Sequence, residues 1–129
     1  MTYHSNVKKI GAEFESEFCA LLSSNGYWVH FCTPNRAGAQ PCDVIASKDG
    51  IPYLIDCKTS VKPIFSIKRM EDNQILAMEK WVDCGNPNPL IAIKHDGKVY
   101  LLTYEELKAK GKVDLRGRDD IVFAQQIDG

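Results

Sequence analysis

The chain has 129 residues, 44% of them hydrophobic and 26% charged, with a net charge of −1, which suffices for one domain with its own core and is too little for two ordinary ones. No apolar run approaches the roughly 18 residues that a membrane helix needs, and the polar residues 1–9 do not read as a signal peptide. Five scattered cysteines, Cys19, Cys32, Cys42, Cys57 and Cys84, lack paired CxxC spacing, which argues for reduced thiols in a cytoplasm and against a structural zinc site. The near-zero charge does not announce a nucleic-acid binder. Basic residues nevertheless gather locally, first at Lys58, Lys62, Lys68 and Arg69 and again between Lys108 and Arg118.

Residues 9–25 predict an amphipathic helix, with Ile10, Phe14, Phe18, Leu21 and Leu22 at helical spacing and Gly26 placed to stop it. Residues 27–32, rich in aromatic and β-branched side chains, predict a strand, and Trp28 is expected in the core along with Trp81. Residues 33–41 read as a loop from their proline and glycine content. Two apolar runs then flank Asp49-Gly50, a dipeptide suited to a two-residue hairpin turn. If those two residues make the turn, Lys48 faces Ile51, Ala46 faces Tyr53 and Asp43 faces Asp56. Asp56 and Lys58 share a face, and Cys57 points the other way as a buried packing residue.

The stretch 59–69 reads as irregular and basic, and residues 71–83 as a helix with Ile75, Met78, Trp81 and Val82 on its apolar face. Residues 90–94 and 98–102 flank a second turn at Asp96-Gly97 and predict another hairpin. Thr103 can cap a short helix through Lys110, with Glu106 three residues on. The tail offers one weak strand at 121–124, and Arg116-Gly117-Arg118 reads as a solvated turn. This order predicts a single domain over residues 1–129, α/β (α+β) in class, with a central mixed five-stranded sheet flanked by helices.

The hairpin contains an electrostatic anomaly. Directly opposed side chains have β-carbons about 4.5–5.5 Å apart, and like charges there repel. Asp43 and Asp56 therefore call for something positive between them. Two carboxylates completed by waters and a substrate phosphate are a typical environment for magnesium. The three histidines, His4, His30 and His95, are dispersed and support neither a histidine nuclease nor a zinc hydrolase.

In order and spacing, Gly11-x-x-x-Glu15, Asp43-Val44-Ile45-Ala46, Ile55-Asp56-Cys57-Lys58 and Phe65 through Gln74 resemble the PD-(D/E)xK nucleases, and among them the Holliday junction resolvases of archaeal and RecU type. The match spans roughly residues 8 to 105. Two departures stand out: Cys42 intervenes between Pro41 and Asp43, and the commoner glutamate of the third motif is here the shorter Asp56. The resemblance implies a restriction-endonuclease-like core and metal-dependent phosphodiester hydrolysis with magnesium, for which manganese can substitute. The metal ligands it implies are Asp43, Asp56 and the backbone carbonyl of Cys57, with Glu15 approaching directly or through water; Glu13 is an alternative helix carboxylate. Lys58 would orient or help deprotonate the attacking water, and Gln74 would position water or phosphate. Arg36, Gln40, Lys62, Lys68 and Arg69 are expected to contact the DNA backbone. The implied substrate is a four-way junction cut by a homodimer in a prokaryotic or phage-infected cytoplasm. The same residues suit another repair, restriction-like or phage DNA-processing nuclease, and the fold alone would suit a non-catalytic nucleic-acid-binding module.

Overall fold

The computed structural model describes residues 3–32 and 42–118. It opens with helix α1 (Tyr3–Ser24), followed by strands β1 (Trp28–Phe31), β2 (Val44–Lys48) and β3 (Ile51–Thr59). A short strand β4 (Ile64–Ser66) and a 3-10 turn (Ile67–Arg69) lead into helix α2 (Asp72–Asp83). The chain then runs through β5 (Leu90–His95), β6 (Lys98–Thr103), helix α3 (Tyr104–Lys110) and β7 (Lys112–Asp114). Five strands form one sheet in the order β1-β2-β3-β5-β6, while β4 and β7 pair separately. Among the described residues only β3 and β5 run parallel, which requires the crossover that α2 supplies.

The first hairpin has the register its turn dictates: Lys48 pairs with Ile51, Ala46 with Tyr53 and Val44 with Ile55. Asp49 and Gly50 both adopt positive φ, 53° and 78°, as a type I′ turn demands. The Asp96-Gly97 turn repeats this conformation.

Both faces of the sheet are covered, so the inner strands β2, β3 and β5 are buried over much of their length, whereas the edge strand β1 stays largely exposed. On one face α1 lays Phe14, Phe18 and Leu22 over Val44, Ala46, Ile55, Cys57 and Ala92. On the other, Met78 of α2 and Leu107 of α3 join Leu54, Ile91, Ile93 and Leu102, with Phe65 and Val113 brought in by the small sheet. A large side chain buried in this way contributes about 1.5–3 kcal/mol.

Several expectations need correction. Trp28 is 62% exposed, because it lies on the edge strand and on the face away from α1, where it stacks on His30 at 6.2 Å. Trp81 is half-buried and donates from its indole N–H to the Pro87 carbonyl at 2.8 Å. Ile10 and Val82 are exposed, the first well inside α1 and the second in the last turn of α2. Within the stretch read as irregular, Phe65 is fully buried and the β4–β7 ladder orders the backbone, aided by bonds from Ile67 N–H to Gly111 and from Leu115 N–H to Pro63. The expected loop at 33–41, with Arg36 and Gln40, and the strand at 121–124 lie outside the described residues.

Candidate metal-dependent active site

The site forms at the C-terminal part of β3, where two devices bring the hairpin's charges together. The turn sets the register, which carries Asp43 to the position before β2 and next to the end of its partner strand. The Asp43 carboxylate then fixes itself by accepting a hydrogen bond at Oδ2 from the Cys57 backbone N–H, 2.8 Å away. Cys57 is buried among the α1-facing residues, while Asp56 and Lys58 belong to the opposite face by strand alternation.

Asp56 is the most constrained group in the site. It has no exposed surface, and neither of its carboxylate oxygens has a hydrogen-bond partner. Burial, followed by the charge of Asp43, pushes its pKa up to about 7, against the opposing pull of Lys58. Asp43 is also raised, chiefly by burial, although the Cys57 N–H and Lys58 both favour its ionised form. Glu15 on α1 is raised by burial and by Asp43, and it too feels Lys58. The three carboxylates thus share one electrostatic environment. Glu13 is exposed.

A signal for choosing Glu15 was present in the sequence. At about 100° per residue, the stripe from Phe14 through Phe18 to Leu22 is centred near Phe18, which leaves Glu15 about 60° from its centre and Glu13 about 140° away.

Lys58 is held from the far side. Its Nζ donates to Oε1 of Gln74 at 3.0 Å, and the same oxygen accepts the Glu71 backbone N–H at 3.0 Å. Gln74 is buried at the third position of α2, and its bond to Glu71 is the return arm of a capping box. One side chain therefore closes the helix end and anchors the site's lysine.

Among the described residues, no three His, Cys, Asp or Glu side chains form a preformed metal-binding cluster. The donor chemistry still fits a hard divalent ion. Asp56 offers two buried, unpartnered oxygens beside the Asp43 carboxylate, and magnesium is commonly bound through one or two carboxylates while keeping several waters.

Of the expected DNA contacts, Lys62, Lys68 and Arg69 lie in the chain between β3 and α2. Lys62 and Lys68 are exposed. Arg69 is exposed but tethered, donating from Nη2 to the Thr59 carbonyl at 2.8 Å, with its guanidinium 5.3 Å from the centre of the Phe65 ring. Sequence reasoning missed the contact between Cys32 and Cys42, whose sulfurs are 3.7 Å apart beside Asp43. Separation by ten positions gave no pairing signal.

Comparison with known proteins gives a consistent answer. A family model described as archaeal Holliday junction resolvase (Hjc) matches residues 6–128. A curated relative, the crossover junction endodeoxyribonuclease Hjc of Methanocaldococcus jannaschii, is 28% identical over 102 residues, covering 79% of this chain and 71% of the relative. The solved structure of Archaeoglobus fulgidus Hjc, described as a Holliday junction resolvase from an archaeal hyperthermophile, superposes with a TM-score of 0.63. It is 15% identical, and the match covers 79% of this chain and 85% of that one, a likeness of fold.

Proposed function

The chain belongs to the archaeal Holliday junction resolvase (Hjc) family of PD-(D/E)xK nucleases, and from that premise we propose that it cuts four-way DNA junctions as a homodimer, by magnesium-dependent hydrolysis at Asp43, Asp56 and Lys58. The observation that carries this reading is Asp56, a fully buried carboxylate with two unpartnered oxygens next to a second carboxylate. Such an arrangement is costly unless a cation offsets it.

In this reading Asp43, Asp56 and the Cys57 carbonyl would hold the ion, with Glu15 approaching it directly or through water. When bound, a divalent ion supplies polarisation of the scissile phosphate and activation of the water nucleophile. Manganese, which takes the same hard oxygen donors, would substitute for magnesium. Lys58 places a positive charge where the phosphate gains negative charge as the water oxygen attacks phosphorus. Its ammonium is pre-oriented by Gln74 Oε1, so little reorganisation is needed on the way to the transition state. Lys62, Lys68 and Arg69 supply phosphate contacts that position the DNA. A homodimer suits the substrate, because a four-way junction is cut on two strands and a twofold axis relates two such sites.

The decisive experiment compares cleavage of a four-way junction with cleavage of linear duplex and flap DNA of the same sequence, in magnesium and in manganese. Preferential junction cutting, lost in Asp56→Ala and Lys58→Ala, is the expected result. Equal cutting of all three substrates would point to a different branch of DNA processing. No cutting of any branched DNA would remove the catalytic reading.

A further inference from the structure

Four observations converge on the thiols of Cys32 and Cys42. Their sulfurs are 3.7 Å apart, already in van der Waals contact. The backbone ties Cys32 to the residue that follows Cys42, since the Cys32 N–H donates to the Asp43 carbonyl at 2.8 Å. Cys42 immediately precedes Asp43, whose carboxylate is fixed by the Cys57 N–H. Finally, the two thiols differ in access: Cys42 is 2% exposed, whereas Cys32 is partly open to solvent. Of the remaining cysteines, Cys19 and Cys57 pack with the α1-facing core and Cys84 is on the surface.

We propose that Cys32 and Cys42 are a reversible oxidation site, whose disulfide displaces Asp43 and switches the neighbouring centre off. The bond forms by exchange with a low-molecular-weight disulfide. The Cys32 thiolate attacks one sulfur of that molecule and expels its first thiolate. Cys42 then gives up its proton to solvent and attacks the Cys32 sulfur, expelling the second thiolate. The protein loses two electrons and two protons, and the small disulfide becomes two thiols. A disulfide has an S–S length of about 2.05 Å, so the sulfurs must close by roughly 1.6 Å, and in this proposal the closure pulls on the chain that carries Asp43, the residue next to Cys42. The effect on cleavage rests on the reading of Asp43 as a metal ligand; the formation of the disulfide does not.

The test treats the full-length protein with oxidised glutathione, then follows intact mass, disulfide-mapped peptides, manganese binding by calorimetry and junction cleavage. The proposal expects a 32–42 cross-link with a mass loss of about 2 Da, weaker manganese binding, and cleavage reduced about a hundredfold, the cost of misplacing a reacting group by about 1 Å. Dithiothreitol should restore all three, and Cys32→Ser should cut normally while ignoring the oxidant. A second variant, Cys42→Ala, controls for any packing effect of the first. Absence of the 32–42 cross-link, or pairing through Cys19, Cys57 or Cys84 instead, overturns the site. A cross-link that leaves manganese binding and cleavage unchanged overturns the switch. If the reduced protein cuts no branched DNA, the nuclease reading fails, and cross-linking with loss of manganese binding still decides this one.

Discussion

At the scale of single residues, Asp56 ties stability to function. An ionised carboxylate buried without a donor costs several kcal/mol, and the fold accommodates it by favouring the neutral form. Its pKa is about 7 in the folded state against 3.8 for the free side chain. Between those values the folded protein holds a proton that the unfolded chain has released, so stability is fully present below about pH 4 and falls as pH rises through about 7. Burial raises Asp43 and Glu15 in the same direction. The metal-free protein should therefore lose about 2 kcal/mol of stability between pH 5 and pH 8 beyond what an Asp56→Asn variant loses, roughly three-quarters of the ideal linkage value over that interval. Urea melts of both proteins at the two pH values measure this, and parallel behaviour would dismiss the strained carboxylate. Millimolar calcium or manganese at pH 8 should restore the wild type and leave Asp56→Asn unchanged. The same substitution should cut junction cleavage by three orders of magnitude or more, because ion binding contributes several kcal/mol to the transition state. A more stable and inactive variant is the signature of a functional charge.

At the scale of elements, the site is assembled by a turn and by a helix end. The turn was legible: Asp49-Gly50 can hardly do anything but reverse the chain with positive φ, and once it does, the pairing of Val44 with Ile55 follows and Asp43 arrives beside the end of β3. The helix end was half legible. Gln74 could be placed at the start of α2, but its grip on Lys58 depends on how α2 docks across the sheet, which no local pattern encodes. Where the reading failed, the cause was similar. Trp28 has the residue type of a core strand, and only the strand order shows that β1 is an edge. The β4 and β7 strands are three residues each, too short for alternation to register. A Gln74→Leu variant tests the helix end, since it removes the oxygen shared by Glu71 and Lys58. It should destabilise the fold by about 1 kcal/mol, as loss of a cap does. At saturating junction, turnover should drop about 10- to 100-fold as Lys58 loses its anchor. Gln74→Glu keeps an acceptor at the same place and should recover both thermal stability and most of the turnover. Equal defects in the two variants would mean that the amide, rather than its oxygen, matters.

At the scale of the whole molecule, an electrostatic question remains, since a chain of net charge −1 has to approach a polyanion. The distribution of charge answers it better than the sum. At least part of the acidic count is neutralised internally: Glu106 pairs with Lys110 and Arg118, Glu79 with Lys108, and Asp114 with Arg116. Those same pairs occupy the basic residues of the α3–β7 region, which makes them poor candidates for phosphate contact. The residues between β3 and α2 differ. Lys62 and Lys68 are exposed on a segment that follows Lys58 along the chain and is held in shape by the β4–β7 ladder. A bound divalent cation would shift the field of this face further toward positive. Junction affinity should therefore fall steeply with salt despite the near-neutral chain. Each of Lys62→Ala and Lys68→Ala should lower the slope of log affinity against log salt by about one unit, with similar loss for every junction sequence. Arg116→Ala, which removes a cation already committed to Asp114, should leave the slope unchanged. Binding isotherms from 50 to 200 mM salt, with calcium in place of magnesium to prevent cleavage, separate these cases. An unchanged slope in the lysine variants with a reduced slope in Arg116→Ala would place the DNA across the α3–β7 face instead.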